Sequence, residues 1–219
     1  MNRVIVDVEG QTEQTFIREV LAPWLAAEGI FLTARLIGKP GHKGGVGEYQ
    51  RAKRELLILL EQESNSRITT MFDFYGMPDS WPGRKEAKSL PHDQKAPKVE
   101  TALAQDIVKS LPNIDPKRFI PYVQMYEFEA LLFTRPAVIG EISGNKKIIP
   151  VLQKVRDNVQ TPEHINDGPE TAPSKQIISQ FKGYNKVLYG SIAAKRISVK
   201  DIVACCPHFR YWIEQLCVK

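Results

Sequence analysis

The chain has 219 residues, 42% of them hydrophobic and 25% charged, which is ordinary globular usage and excludes wholesale disorder. That length accommodates one large domain with an appendage and a real hydrophobic core, and no run approaches the ~18 apolar residues of a membrane span. With 30 basic and 25 acidic side chains the net charge is +5, compatible with a polyanionic partner without requiring one. From the N-terminus, Val4 to Val8 predicts a buried strand that ends on Glu9 and a glycine, Gly10. A single arginine before an apolar run broken by Asp7 and Glu9 does not make a signal peptide, so a cytoplasmic, non-membrane protein is expected. Thr12 to Glu28 has helical spacing, with Phe16, Ile17, Val20, Leu21, Trp24 and Leu25 on one face. Pro23 is expected to kink or end that helix, because it removes a backbone donor.

Phe31 to Ile37 reads as a second strand. Gly38 to Gly47 reads as a mobile basic loop, and Glu48 to Glu63 as a helix with Leu56, Leu57, Leu59 and Leu60 buried. A third strand is expected from Arg67 to Asp73. The proline-rich stretch Tyr75 to Pro91 is long enough to cover or frame a site. Val99 to Leu111 is a further helix, Arg118 to Met125 a fourth strand, and Glu127 to Phe133 the start of another helix. Strands alternating with helices predict an α/β fold with a parallel sheet. Beyond Pro136 only helical runs remain, at Lys146 to Asn158, Ser174 to Phe181, Ser191 to Ile197 and His208 to Leu216, with Gln160 to Pro173 as a surface excursion. Cys205, Cys206 and Cys217 have no C-x-x-C spacing and read as reduced, structural thiols.

Candidate chemistry lies at the strand ends. In a parallel sheet, ligands gather outside the carboxyl ends of the strands, which is where Glu9 and Asp73 fall. Glu13, in the first turn of the next helix, reads equally as a second site carboxylate or as a helix-capping acid beside Thr12. Glu127 and Glu129 follow the fourth strand; two apart, they share a face in extended chain and diverge by ~200° in a helix. They too read either as site residues or as acids favoured at a helix N-terminus. Hard oxygen ligands of this kind suit Mg²⁺ or Mn²⁺ and phosphodiester chemistry. Asp79 reads as a turn residue. Lys39, His42, Lys43, Arg84, Lys85, Lys88, Lys175, Lys186, Lys195 and Arg196 form a basic set able to contact phosphates without reading sequence. Gly38 to Gly47 lacks the order of a phosphate-binding P-loop, and no G-x-S-x-G is present.

Val8-Glu9-Gly10, Met71-Phe72-Asp73 and Glu127-Phe128-Glu129-Ala130-Leu131-Leu132 resemble the motifs of the TOPRIM fold of topoisomerases, primases and overcoming-lysogenization-defect nucleases. The chain is similar to the small bacterial TOPRIM-like branch, much of it known only as a domain of unknown function. That resemblance implies a mostly parallel central sheet of about four strands flanked by helices, with residues 1–135 forming the metal-binding domain and 136–219 a helical C-terminal extension packed on it. It implies Mg²⁺- or Mn²⁺-dependent cleavage of DNA or RNA by Glu9, Asp73 and Glu13, with Glu9, Glu13, Asp73, Glu127 and Glu129 as metal ligands. Lys39, His42, Lys43, Arg84, Lys85, Lys175 and Lys186 would then contact the nucleic acid. The family also implies an effector of anti-phage or mobile-element defence that works with a separate ABC- or SMC-like ATPase, and a homo-oligomer is compatible with it. Members often carry Asp-x-Asp after the third strand, whereas this chain has Asp73-Phe74-Tyr75. A non-catalytic scaffold that docks to an ATPase is therefore the alternative, and hydrolysis of a small phosphate ester a third reading.

Overall fold

The computed structural model describes residues 2–38, 46–165, 168 and 170–218. Lys39, His42, Lys43 and most of the expected glycine loop lie outside the described residues. Strand β1 (Asn2–Val8) runs parallel to β2 (Ile30–Leu36) on one side and to β3 (Ser66–Asp73) on the other. Beyond β3 lie two short parallel strands, β4 (Phe119–Ile120) and β5 (Val123–Gln124), both paired with β3. The expected single fourth strand is thus broken in two, giving five strands in the order β2-β1-β3-β4 with β5 continuing along β3. Pro121 is the cause, since it has no N–H to give a ladder. Thr70 closes the gap: its Oγ1 stands 2.9 Å from both the Tyr122 N–H, which donates to it, and the Tyr122 carbonyl, to which its hydroxyl donates.

Helices cover both faces. On one face, β1 presents Val4, Val6 and Val8 to α1 (Gln11–Phe16), α2 (Ala22–Ala26) and the C-terminal helices. On the other it presents Ile5, with Ile68 and Phe72 of β3, to α3 (Tyr49–Gln62), the short α4 (Arg84–Ala87) and α5 (His92–Ser110). Burial on both faces explains why β1 reads as an unbroken apolar run. Between α1 and α2 the helix widens into a π-turn over Ile17–Leu21, directly before Pro23. The helix therefore runs on through the proline instead of ending there: the wider turn takes up a residue that cannot sit against the carbonyl of Glu19 in a regular α-turn.

The stretch expected to be a long loop covering or framing a site, 75–91, folds against the α3–α5 face and includes the short α4. Trp81 is buried there and its Nε1 donates to the Gly47 carbonyl at 2.9 Å. Glu127 is followed by a 3₁₀ segment, Phe128–Thr134, in place of the expected α-helix. The helical half then contains α6 (Pro136–Ile142), α7 (Ile149–Asp157), α8 (Pro173–Gln180), α9 (Lys186–Ile197), α10 (Val199–Cys205) and α11 (Pro207–Cys217). α9 starts five residues before the expected Ser191, and α6 and α10 are additional to the expected runs. These helices share one apolar cluster with β1, and α9 lies directly on α1. Among the described residues no helix is long and apolar enough to cross a membrane.

Candidate metal centre

The parallel register brings the strand ends level. Val8 pairs with Met71 and Asp73 with Gln124, so Glu9, Asp73 and the segment from Met125 to Glu129 leave the sheet at one edge. Glu9 Oε2 accepts a hydrogen bond from the Asp73 backbone N–H at 3.1 Å. Glu13 comes back over the same edge from the first turn of α1, and a Cβ built on Gly10 would stand 2.9 Å from its Oε2. Gly10 has φ −147° and ψ 174°, extended backbone that any residue adopts, so glycine here provides space for a carboxylate and not conformational freedom. Gly10, the N-cap of α1, has no side chain to cap it, and Glu13 lies back over Gly10 with the backbone amides of Glu13 and Gly10 as its polar neighbours, so the same carboxylate answers the helix start and faces the edge.

Glu127 and Glu129 are aimed by an unusual residue. Tyr126 is buried with φ 60°, a left-handed conformation that costs a bulky side chain of order 1–3 kcal/mol. Its carbonyl accepts from Tyr75 N–H at 3.0 Å, and its hydroxyl is hydrogen-bonded to His92 Nδ1. The turn it makes leaves Glu127 Oε2 accepting from Ser174 N–H at 3.0 Å, in the first turn of α8. Glu129 is 1% exposed. Lys186, at the start of α9, reaches both acids, with Nζ 3.6 Å from Glu127 Oε1 and 3.3 Å from Glu129 Oε2.

Five carboxylates and one ammonium thus share a partly water-free edge, and their titration reflects it. Burial, and then the charges of Glu9, Glu13, Glu129 and Glu127, hold Asp73 well above the usual carboxylate range. Burial and Glu13 push Glu9 up to about 8 against the opposing pull of the Asp73 amide and Lys186. Burial pushes Glu129 up to about 7 in spite of Lys186, and it raises Glu13 as well. Burial would lower the Lys186 ammonium, but Glu129, Glu127 and Asp73 outweigh it and the net shift is upward. Asp73 Oδ1 and Glu129 Oε1 are buried without any hydrogen-bond partner. A buried carboxylate oxygen left this way is costly unless a proton or a cation answers it.

Residues 8–217 match the model of a protein family described as a domain of unknown function, DUF4276. The chain belongs to the DUF4276 family. No curated protein matches it. Among solved structures it is similar to the C-terminal region of the OLD protein of Xanthomonas campestris pv. campestris, with 15% identity over 99% of this chain and 95% of that one and a TM-score of 0.48.

In this DUF4276 chain all five acids picked out by the sequence come together, while the described members of the basic set do not gather with them, Lys186 excepted. Arg84 is 7% exposed with its guanidinium 3.9 Å from the centre of the Phe74 ring, so it packs inside the protein and does not reach a polyanion at the surface. Lys186 belongs to the carboxylate cluster, where it is the counter-ion. Lys85 and Lys175 are exposed, and Lys175 directly follows Ser174, which holds Glu127. Asp79 pairs with Lys88 away from the cluster. Tyr184, buried within electrostatic reach of Glu129 and Glu127, has a hydroxyl raised by burial and by those two charges; the sequence reading did not single it out. Asn185 caps α9 by accepting from Leu188 N–H at 2.9 Å, and Lys186 in that first turn opposes the helix dipole, a cost that the facing Glu127 and Glu129 offset.

Among the described residues no three His, Cys, Asp or Glu side chains already stand at ligand distances from a common point. The donor set nonetheless fits a hard divalent cation, for it is all oxygen, strongly anionic and contains two buried oxygens with no partner. Asp73 and Glu13, with one of Glu127 or Glu129, would hold the ion, and Glu9 would stand beside it.

Proposed function

We propose that this protein is a metal-dependent nuclease that hydrolyses phosphodiester bonds of DNA or RNA with Mg²⁺ or Mn²⁺. The observation that carries this reading is the meeting, at one sheet edge, of Glu9, Glu13, Asp73, Glu127 and Glu129 with two buried and unanswered carboxylate oxygens. A bound divalent ion would neutralise charge on the transferring phosphate and activate water. The protein's own groups supply the rest. Glu9, held by the Asp73 amide, acts as general acid and base. Asp73, Glu13 and one of Glu127 or Glu129 hold the ion. Lys186 offsets negative charge that develops on phosphate oxygens. The resemblance to overcoming-lysogenization-defect nucleases supports a separate ABC- or SMC-like ATPase as partner and a role in anti-phage or mobile-element defence.

The test is a cleavage assay on single- and double-stranded substrates with Mn²⁺ or Mg²⁺. Glu9→Gln and Asp73→Asn should each lower activity by about 10²- to 10⁴-fold. Wild-type activity that survives both substitutions undiminished overturns the assignment. One observation favours a second reading, a non-catalytic scaffold of an ATPase complex: Tyr75, 39% exposed, stands where the second acid of an Asp-x-Asp pair would be. Calorimetric titration with Mn²⁺ separates the two. Specific binding lost in Asp73→Asn supports the nuclease, and no specific binding supports the scaffold.

A further inference from the structure

The turn between α8 and α9 carries Phe181 and Tyr184, and the first turn of α9 carries Tyr189. Tyr184 N–H donates to the Phe181 carbonyl at 2.9 Å and Tyr189 N–H to the Asn185 carbonyl at 2.8 Å, so a tight turn running straight into a helical one gathers the three side chains. The ring centres of Phe181 and Tyr189 are 4.9 Å apart, those of Phe181 and Tyr184 6.0 Å, and those of Tyr184 and Tyr189 6.3 Å. Tyr184 is the buried member beside Glu129 and Glu127. Phe181 and Tyr189 are half-buried, and Lys182, which follows Phe181, is exposed. The same turn delivers Lys186 into the carboxylate cluster. Partly exposed aromatic rings, a solvent-facing lysine and an acidic centre are therefore contiguous.

We infer that the substrate is a single-stranded polynucleotide whose bases stack on Phe181 and Tyr189 while Lys182 and Lys175 contact its backbone. The inference takes the class of polymer from the nuclease reading and adds the state of the strand. Every base has a π-face, so rings beside lysines hold an unpaired strand with little sequence preference. In a duplex those faces are covered by neighbouring bases, and the rings have nothing to hold. The plainer role of the two rings, covering the rim of the core, would be served equally well by leucine.

The experiment uses fluorescein-labelled oligothymidylate and oligouridylate of about 12 nucleotides, the size range of a stacking groove, and a DNA duplex of equal length. Binding is followed by anisotropy in EDTA, where no cleavage intervenes. Both single strands should bind at least about tenfold more tightly than the duplex, and Tyr189→Leu and Phe181→Leu should each weaken single-strand binding by about 5- to 30-fold, with Tyr189→Trp retaining it. Equal affinity for duplex and single strand, or folded leucine variants that bind like wild type, overturns the inference. As a check that does not rely on any variant folding, photocrosslinking of a 5-iodouridine oligonucleotide to the wild-type protein should mark Tyr189 or Phe181; crosslinks confined to other segments overturn it. Mn²⁺-dependent cleavage is scored separately. Tyrosine-dependent binding without cleavage sinks the nuclease reading alone, and cleavage with binding insensitive to both leucines sinks this inference alone.

Discussion

Asp7 shows how much of this protein's electrostatics is built at single residues. It is fully buried in β1, neither carboxylate oxygen has a hydrogen-bond partner, and Arg35 Nε is 3.8 Å away. Burial pushes it up to about 7, with Arg35 pulling down and Glu55 pushing up. A carboxyl whose folded pKa is raised contributes its stability in full below the unfolded value, and loses it as pH rises to the folded one. For Asp7 that window runs from about 4 to about 7. Asp7→Asn should therefore leave stability little changed below about pH 4, where the wild-type carboxyl is neutral in both states, and raise it at pH 8 by on the order of 4 kcal/mol, measured by urea denaturation at both pH values. A variant less stable than wild type at pH 8 would show that the charged form has a partner worth more than its desolvation.

Elements set how closely the helical half can approach the sheet edge. Gly190 of α9 faces Phe128 and α1: a Cβ there would stand 3.1 Å from Phe128 Cε1, 3.3 Å from Tyr184 Oη and 3.7 Å from Thr12 Cγ2. Alanine is worth about 1 kcal/mol over glycine inside a helix. Here Phe128 is fully buried and has no room to retreat, so crowding outweighs propensity. Gly190→Ala is expected to destabilise by about 1 kcal/mol, seen as a lower urea midpoint at unchanged slope. The elements also show where sequence reasoning succeeds. β1, β3 and their terminal acids were legible because apolar runs that stop at Glu9 and Asp73 signal a sheet edge directly. The left-handed Tyr126 and the π-turn before Pro23 were not, since each is a local rule overridden by packing, whereas the break at Pro121 follows a local rule that the apolar run masked. Lys186 is 57 residues from the Glu129 it neutralises, and no periodicity links them.

At the scale of the whole molecule the acidic edge makes stability depend on pH and metal together. Glu9 at about 8, Glu129 and Asp7 at about 7, and Asp73 well above its usual range all bind protons in the folded state that the unfolded chain releases near pH 4. Stability in EDTA should accordingly fall as pH rises from about 5 to 8, visible as a decreasing melting temperature. Mn²⁺ at 100 times its dissociation constant should restore about 2.7 kcal/mol at pH 8 and far less at pH 5, where protons compete for the same oxygens. A melting temperature flat in both pH and Mn²⁺ would mean that the acids are solvated and not clustered.

The lysine that balances this edge also has a place in time. During synthesis Glu9, Glu13, Asp73, Glu127 and Glu129 leave the ribosome well before Lys186 does, and before the α9, α10 and α11 side chains that cover β1. Until those arrive, the nascent sheet has mutually repelling acids at its rim and one greasy face open to water. A fragment cut at residue 135 should therefore behave as a collapsed, aggregation-prone species that binds a hydrophobic dye, and adding residues 136–219 as a second polypeptide should rescue it into a single cooperative unfolding transition.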